Sequence, residues 1–176
     1  MKKIVLKEGV ETVEDGAFNE FVKVNKIVFP KKLKKIGVSA FGDTGIRQLI
    51  LPDSVTEIGW IAFVKNTIYG GIEKIRLPKK LCRIDSGAFS GHNFTSITIP
   101  KNVTFIGSRV FEECSELKTI IIKSKKIKKI GSNAFSYIAR EAVIYVPGGK
   151  IKKYRKLMPE IDAYGHKWDI RPIKGD

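Results

Sequence analysis

Histidine, cysteine and clustered carboxylates supply most hydrolytic, redox and metal chemistry, and this 176-residue chain is poor in the first two. Its two histidines, His92 and His166, stand 74 residues apart. Neither belongs to a His-Glu-x-x-His pair, and the cysteines, Cys82 and Cys114, form no Cys-x-x-Cys, so a zinc site lacks ligands. No Gly-x-x-x-x-Gly-Lys or Gly-x-Gly-x-x-Gly run cradles a phosphate, and Gly-x-Ser-x-Gly is absent. Glu112, Glu113 and Glu116 are too few oxygens for calcium and read as a solvated turn. His92, between Gly91 and Asn93, reads as a loop residue. The expectation is a non-enzymatic protein without catalytic residues, metal or cofactor.

The abundant chemistry is cationic. Lys and Arg outnumber Asp and Glu by 33 to 18, a net +15. From Lys118 to Lys156 twelve bases face one acid, Glu141, so this segment carries +11. The candidates it offers for a polyanion are Lys123, Lys125, Lys126, Lys128 and Lys129, then Lys152, Lys153, Arg155 and Lys156. Exposed aromatics that could stack on bases are few, Tyr137, Tyr145 and Tyr154, which counts against nucleic acid.

The elements that position these residues are six copies of one pattern. Phe18, Phe41, Phe63, Phe89, Phe111 and Phe135 close them, at spacings of 23, 22, 26, 22 and 24. Five residues before each phenylalanine stands Val13, Ile36, Ile58, Ile84, Ile106 or Ile130, and eight before stands Val10, Leu33, Val55, Leu81, Val103 or Ile127. Fourteen before stands Ile4, Ile27, Leu49, Ile75, Ile97 or Ile121. A fixed apolar pattern with a period in the low twenties marks a solenoid. Each copy opens on an alternating run such as Ile97-Thr98-Ile99, which predicts a strand with one buried face. Pro30, Pro52, Pro78 and Pro100 lack the N–H that would continue it. Gly37, Gly59, Gly107 and Gly131 follow the −5 residue and read as positive-φ turn positions. The Ala-Phe pair reads as a short helical or 3-10 turn. In the sixth copy one residue is inserted between Ile122 and Ile127, leaving the register there open by one.

The unit resembles the BspA-like leucine-rich repeat. The copy from Ile97 to Leu117 carries that family's Pro100, Val103, Ile106, Gly107, Phe111, Cys114 and Leu117 in register. Ala17, Ala40, Ala62, Ala88 and Ala134 fill its alanine position elsewhere. The resemblance implies a right-handed α/β solenoid: a parallel sheet of short strands, six repeats and a C-terminal cap. It also implies a cell-surface or secreted protein that binds proteins in adhesion. Cys114 falls on the family's inward cysteine and reads as a structural thiol. The domain reading is a solenoid over 1–142 and a terminal strand and cap over 143–176. In the cap, Lys150 to Met158 predicts a helix ended by Pro159, and Trp168 to Ile173 a last strand.

Stacking turns outward strand positions into columns. One reads Val5, Val28, Ile50, Arg76, Thr98, then Ile121 or its neighbour, then Tyr145; beside it run Lys3, Lys26, Gln48, Lys74, Ser96 and Thr119. Val5, Val28, Ile50, Arg76, Thr98 and Tyr145 are the candidate partner-binding residues. Turns carrying Lys31-Lys32, Lys79-Lys80, Lys101 and Lys125-Lys126 stack into a basic ridge. The reading is a protein ligand on the sheet; the alternatives are an acidic glycan on the basic segment, or a structural spacer in a larger surface protein. No run reaches the roughly 20 apolar residues of a membrane span. Lys2-Lys3 lead into a strand rather than an apolar core, so no signal peptide is read. The first coil has no preceding cap, and the expectation is that self-association or an upstream segment covers it.

Overall fold

The computed structural model describes residues 2–68, 70–158, 165 and 167–174. Its strands are β1 (Lys2–Val5), β2 (Thr12–Val13), β3 (Val24–Val28), β4 (Lys35–Ile36), β5 (Gln48–Ile50), β6 (Glu57–Ile58) and β7 (Lys74–Arg76). There follow β8 (Arg83–Ile84), β9 (Ser96–Ile99), β10 (Phe105–Ile106), β11 (Thr119–Ile122), β12 (Lys129–Ile130) and β13 (Val143–Val146). A 3-10 turn (Gly148–Lys150), helix α1 (Ile151–Leu157) and strand β14 (Asp169–Pro172) complete the described chain. Pro159 and His166 lie outside the described residues.

Every strand pairing is parallel, and the strands stack coil on coil into a solenoid. Where one strand per repeat is expected, there are two ladders. The opening strands form one face in three segments, β1-β3, β5-β7 and β9-β11-β13-β14. The −5 isoleucines, read from sequence only as apolar positions beside a turn, lie in a continuous six-stranded ladder, β2-β4-β6-β8-β10-β12. Two residues per strand suffice because each coil supplies the next with its hydrogen-bond partners.

The Ala-Phe region is not helical or 3-10. It is a run of turns with positive φ two residues before the phenylalanine in every coil: Gly16, Ser39, Ile61, Gly87, Arg109 and Asn133. In the first coil the Ala17 N–H donates to Glu14 O at 3.3 Å, which puts Gly16 third in a four-residue turn. A type II turn requires positive φ there. The run builds a third set of inter-coil hydrogen bonds. The N–H of Phe18, Phe41, Phe63, Phe89 and Phe111 donates to Ala40, Ala62, Ala88, Val110 and Ala134 O at 2.8–3.0 Å.

Gly37, Gly59, Gly107 and Gly131 do not have positive φ, so their sequence reading is corrected. They are small because the neighbouring coil leaves no room. A Cβ on Gly107 would stand 2.4 Å from Ser86 N, and one on Gly131 2.3 Å from Ser108 N. Asp85 takes the position in the fourth coil, where its Oδ1 accepts the Ser86 N–H at 2.9 Å.

The core runs the length of the rod. The six closing phenylalanines stack near-parallel, with centroids 5.3–6.0 Å apart and ring planes 6–15° off. Trp168 meets Phe135 edge-on at one end, and Phe21 meets Phe18 edge-on at the other. At the N-terminal end Ile4, Leu6, Val10 and Phe18 are only partly buried. Each proline turn closes on its −8 residue: Leu33, Val55, Leu81 and Val103 N–H donate to Pro30, Pro52, Pro78 and Pro100 O at 3.2 Å.

The sixth coil settles its own register. Ile120, not Ile121, pairs with Ile97 and is buried; Ile121 faces outward opposite Thr98. The inserted residue is absorbed after Ile122. There the Ser124 hydroxyl, fully buried, donates to Val103 O at 2.6 Å and accepts the Lys126 N–H at 3.0 Å. Helix α1 locks onto this turn through the Tyr154 hydroxyl, which donates to Ser124 O.

Phe89→Ala or Phe111→Ala should cost about 3–5 kcal/mol, as truncations in the middle of the stack. Gly107→Ala should cost about 1–3 kcal/mol through overpacking against backbone. Gly149→Ala, whose Cβ would meet nothing within 4 Å, should be near neutral. Urea denaturation of the three variant types measures this ranking, and equal costs at Gly107 and Gly149 would disprove the steric account.

Candidate functional site: an outward sheet face with a lysine rim

The outward column forms in three segments, one on each piece of the first ladder. Val5 stands opposite Val28, Ile50 opposite Arg76, and Thr98, Ile121, Tyr145 and Arg171 follow one another across four strands. Val5, Val28 and Ile50 are 58%, 36% and 51% exposed, a strip of β-branched side chains in solvent. The second column also stacks, Lys3 on Lys26, Gln48 on Lys74 and Ser96 on Thr119. Arg76 is already engaged. Its Nη1 lies 2.8 Å from Asp53 Oδ1 and its Nη2 donates to Leu51 O at 3.1 Å. The Arg76 hydrogen bond, with help from the Lys79 N–H, holds the Asp53 carboxyl below its ordinary range. Tyr145 is half-buried beside Arg171, which is paired in turn with Asp169 at 2.6 Å.

The basic residues divide into separate groups. Lys123, Lys125 and Lys126 line a concavity of about 640 Å³ with Lys101, Asn102 and Ile173. A second concavity of about 450 Å³ shares Lys101 and Lys123 and opens toward Ser96, Thr98 and Arg76. The lysine turns and the sheet face therefore meet along one groove. Lys152, Lys153, Arg155 and Lys156 lie on α1, and Lys153 Nζ donates to Lys125 O at 3.2 Å, which joins the helix to the groove's end. Lys129 lies apart from the groove, in β12 on the second ladder, with Lys128 just before it. In that ladder the Arg83 guanidinium sits 3.9 Å over the Phe105 ring. Lys118 pairs with Glu141 at 3.1 Å. Among the described residues no acidic side chain pairs with Lys101, Lys123 or Lys126.

His92 lies in a loop, as its neighbours Gly91 and Asn93 suggest, but that loop is packed inward. The histidine is 4% exposed and braces the longer third-to-fourth connection. Ile72 N–H donates to its Nδ1 at 3.1 Å, and its Nε2 lies 2.6 Å from Phe63 O, so the neutral ring carries its proton on Nε2. Burial pushes its pKa down to about 4. Asp43 secures the same connection by accepting the N–H of Asn66 and Thr67 at 2.7 and 3.0 Å. His92 stands three residues after Phe89, the position Cys114 holds after Phe111, so the inward cysteine position was the sequence signal for its burial. Cys82 and Cys114 are both free thiols. Cys114 is buried, its Sγ donating to Phe89 O at 3.2 Å, and burial pushes its pKa up to about 12, as befits an inert structural thiol. Glu112 is half-buried with its pKa raised by that burial, while Arg109 lies 3.6 Å away. No group of three His, Cys, Asp or Glu that could hold a metal occurs among the described residues. None of their helices is long and apolar enough to cross a membrane.

Parallel ladders, an aromatic stack and one outward sheet face define a leucine-rich-repeat solenoid. The model of the BspA type leucine rich repeat region matches residues 1–70 and 68–155, with six copies, and the chain belongs to that family. A leucine rich cell surface protein from Faecalibacterium prausnitzii A2-165 is similar in structure, with a TM-score of 0.50 at 15% identity over 85% of this chain and 57% of its own. A leucine-rich repeat protein from Bacteroides ovatus ATCC 8483 aligns with a TM-score of 0.45 at 16% identity over 97% of this chain and 60% of its own. The chain thus spans under two thirds of the length of either solved structure. No curated protein sequence matches it.

The buried histidine makes stability depend on pH. Its folded pKa of about 4 lies below its ordinary 6.5, so between these values the unfolded chain binds a proton that the folded chain refuses. The His92 contribution is therefore whole above about 6.5 and falls as pH drops toward 4, by up to about 3 kcal/mol. Carboxylates add a similar slope to every variant, so the measurement is the difference between the parent and His92→Gln. Urea midpoints should fall more steeply with pH in the parent, and parallel slopes would refute the assignment.

Proposed function

We propose that this chain is a non-enzymatic binding module, displayed at a cell surface, that engages a protein ligand on the outward face of its first sheet. The carrying observation is the exposure of the outward residues Val5, Val28 and Ile50 on the first face, whose later strand β9 brings Thr98 to the groove beside Lys101. Apolar residues stacked in solvent beside cations form a surface suited to a protein partner. The structural likeness to the leucine rich cell surface protein of Faecalibacterium prausnitzii supports the location. We further propose that residues 1–142 form the binding solenoid and 143–176 its cap, since Tyr154 closes on Ser124 and Trp168 on Phe135.

The rival reading is a polyanion bound to the basic segment. Its cations are spread over a groove, a helix and the second ladder, which favours the sheet. Immobilised chain should retain solubilised surface and matrix proteins, and Val28→Asp or Ile50→Asp should reduce retention about tenfold, while Lys128→Glu with Lys129→Glu, outside the groove, should change it little. Retention on a heparin column well above physiological salt, abolished by that double reversal, would replace this reading with the rival.

A further inference from the structure

Lys101, Lys123 and Lys126, which pair with no acidic side chain among the described residues, bring positive charge to one side of the two adjoining concavities. The Asp53 carboxylate, which meets Arg76 and Lys79, ends this cationic row on its N-terminal side. The lining is not purely polar, since half-buried Ile75, Pro100 and Ile173 contribute apolar surface. From β7, through β9, β11 and β13, to β14 is four strand spacings, roughly 19 Å at about 4.8 Å each. That length fits about six residues of extended chain, whose side chains alternate between two sides.

We infer that this groove binds an extended acidic peptide segment of the partner, with carboxylates on Lys101, Lys123 and Lys126 and alternate aliphatic side chains against Ile75, Pro100 and Ile173. The inference rests on the protein-ligand reading and specifies the chemistry of the ligand. Among the described residues no aromatic side chain lines either concavity, so nucleic-acid bases find no stacking platform on them. A sulfated glycan would satisfy the lysines but gain little from an aliphatic lining. A lysine offers a point charge on a flexible stem, which suits carboxylates at varied positions better than one fixed bidentate geometry.

The test is fluorescence anisotropy with a labelled seven-residue peptide that alternates glutamate and valine. A glutamate-glycine peptide of equal charge, a heparin tetrasaccharide and an eight-residue oligothymidine serve as comparators. The glutamate-valine peptide should bind at least about tenfold tighter than each comparator, and more weakly as salt rises. Lys101→Glu with Lys123→Glu should weaken it about tenfold or more, and Lys31→Glu with Lys32→Glu should leave it unchanged. Circular dichroism verifies folding, and Lys101→Gln with Lys123→Gln replaces any reversal that fails to fold. Equal affinity for the glycine peptide, tighter binding of heparin or oligothymidine, or indifference to the Lys101 and Lys123 changes would each overturn the inference. So would no binding up to about 1 mM peptide, the weakest useful affinity. If Ile50→Asp still removes protein retention in that event, the sheet reading survives and only the acidic ligand falls; loss of both results ends both.

Discussion

Everything in this molecule depends on the distance between one coil and the next. Backbone hydrogen bonds set it, because a parallel strand satisfies its N–H and C=O groups only with a neighbour about 4.8 Å away. Two ladders and the turn hydrogen bonds before the phenylalanines apply the constraint at three points around each coil. Residues that face the neighbouring coil must therefore fit a fixed gap. At the −4 position little space remains, and Gly107 and Gly131 are the consequence. At the phenylalanine the gap accepts a flat ring, and centroid separations of 5.3–6.0 Å follow. The positive φ at Ser39, Ile61, Arg109 and Asn133 belongs to the same turn, although a side chain such as that of Ile61 disfavours it.

Where a coil departs from the pattern, a buried polar group makes good the lost hydrogen bonds. The sixth coil lacks the proline turn, and the Ser124 hydroxyl takes over its work, pinned from the cap by Tyr154. The longer connection between the third and fourth coils would bury an unmet N–H at Ile72, and His92 accepts it. Such groups are costly to leave unsatisfied, so each is tied to a main-chain partner. That dependence adds His92 to the groups through which acid weakens the solenoid.

Periodicity inside imposes periodicity outside. A side chain repeated at one outward position becomes a column, and a lysine repeated in one turn becomes a row. Coils that lack a nearby acid leave the row charged, as at Lys101 and Lys123, whereas Asp53 quenches it around Arg76 and Lys79. The groove is thus made by neighbouring coils and the cap together, with Ile173 as its far wall. A stacked fold of this kind presents an extended surface rather than a pocket closed around a small ligand.

Much of this was legible in the residues alone. The solenoid, the parallel strands, the phenylalanine core, the cap helix and the outward column all follow from fixed apolar spacing, because alternation decides which side chains leave water. The single shift at Ile120 and Ile121 was not decidable, since three consecutive isoleucines match either register; pairing with Ile97 and Ile99 chose between them. Glycine after the −5 residue suggested torsional freedom, yet its reason is steric, and steric fit depends on a coil more than twenty residues away. The second ladder was hidden because two-residue strands leave no alternation to read. His92 holds the position of Cys114, and Ser124, counted back from Phe135, that of the prolines, but neither polar residue type announces burial, so the packed chain revealed it. The twelve bases between Lys118 and Lys156 were plain in the composition. Which of them share a groove was decided by stacking, which sets Lys123 beside Lys101 and sends Lys129 to the other ladder, because proximity between coils is a property of the pitch and not of the chain.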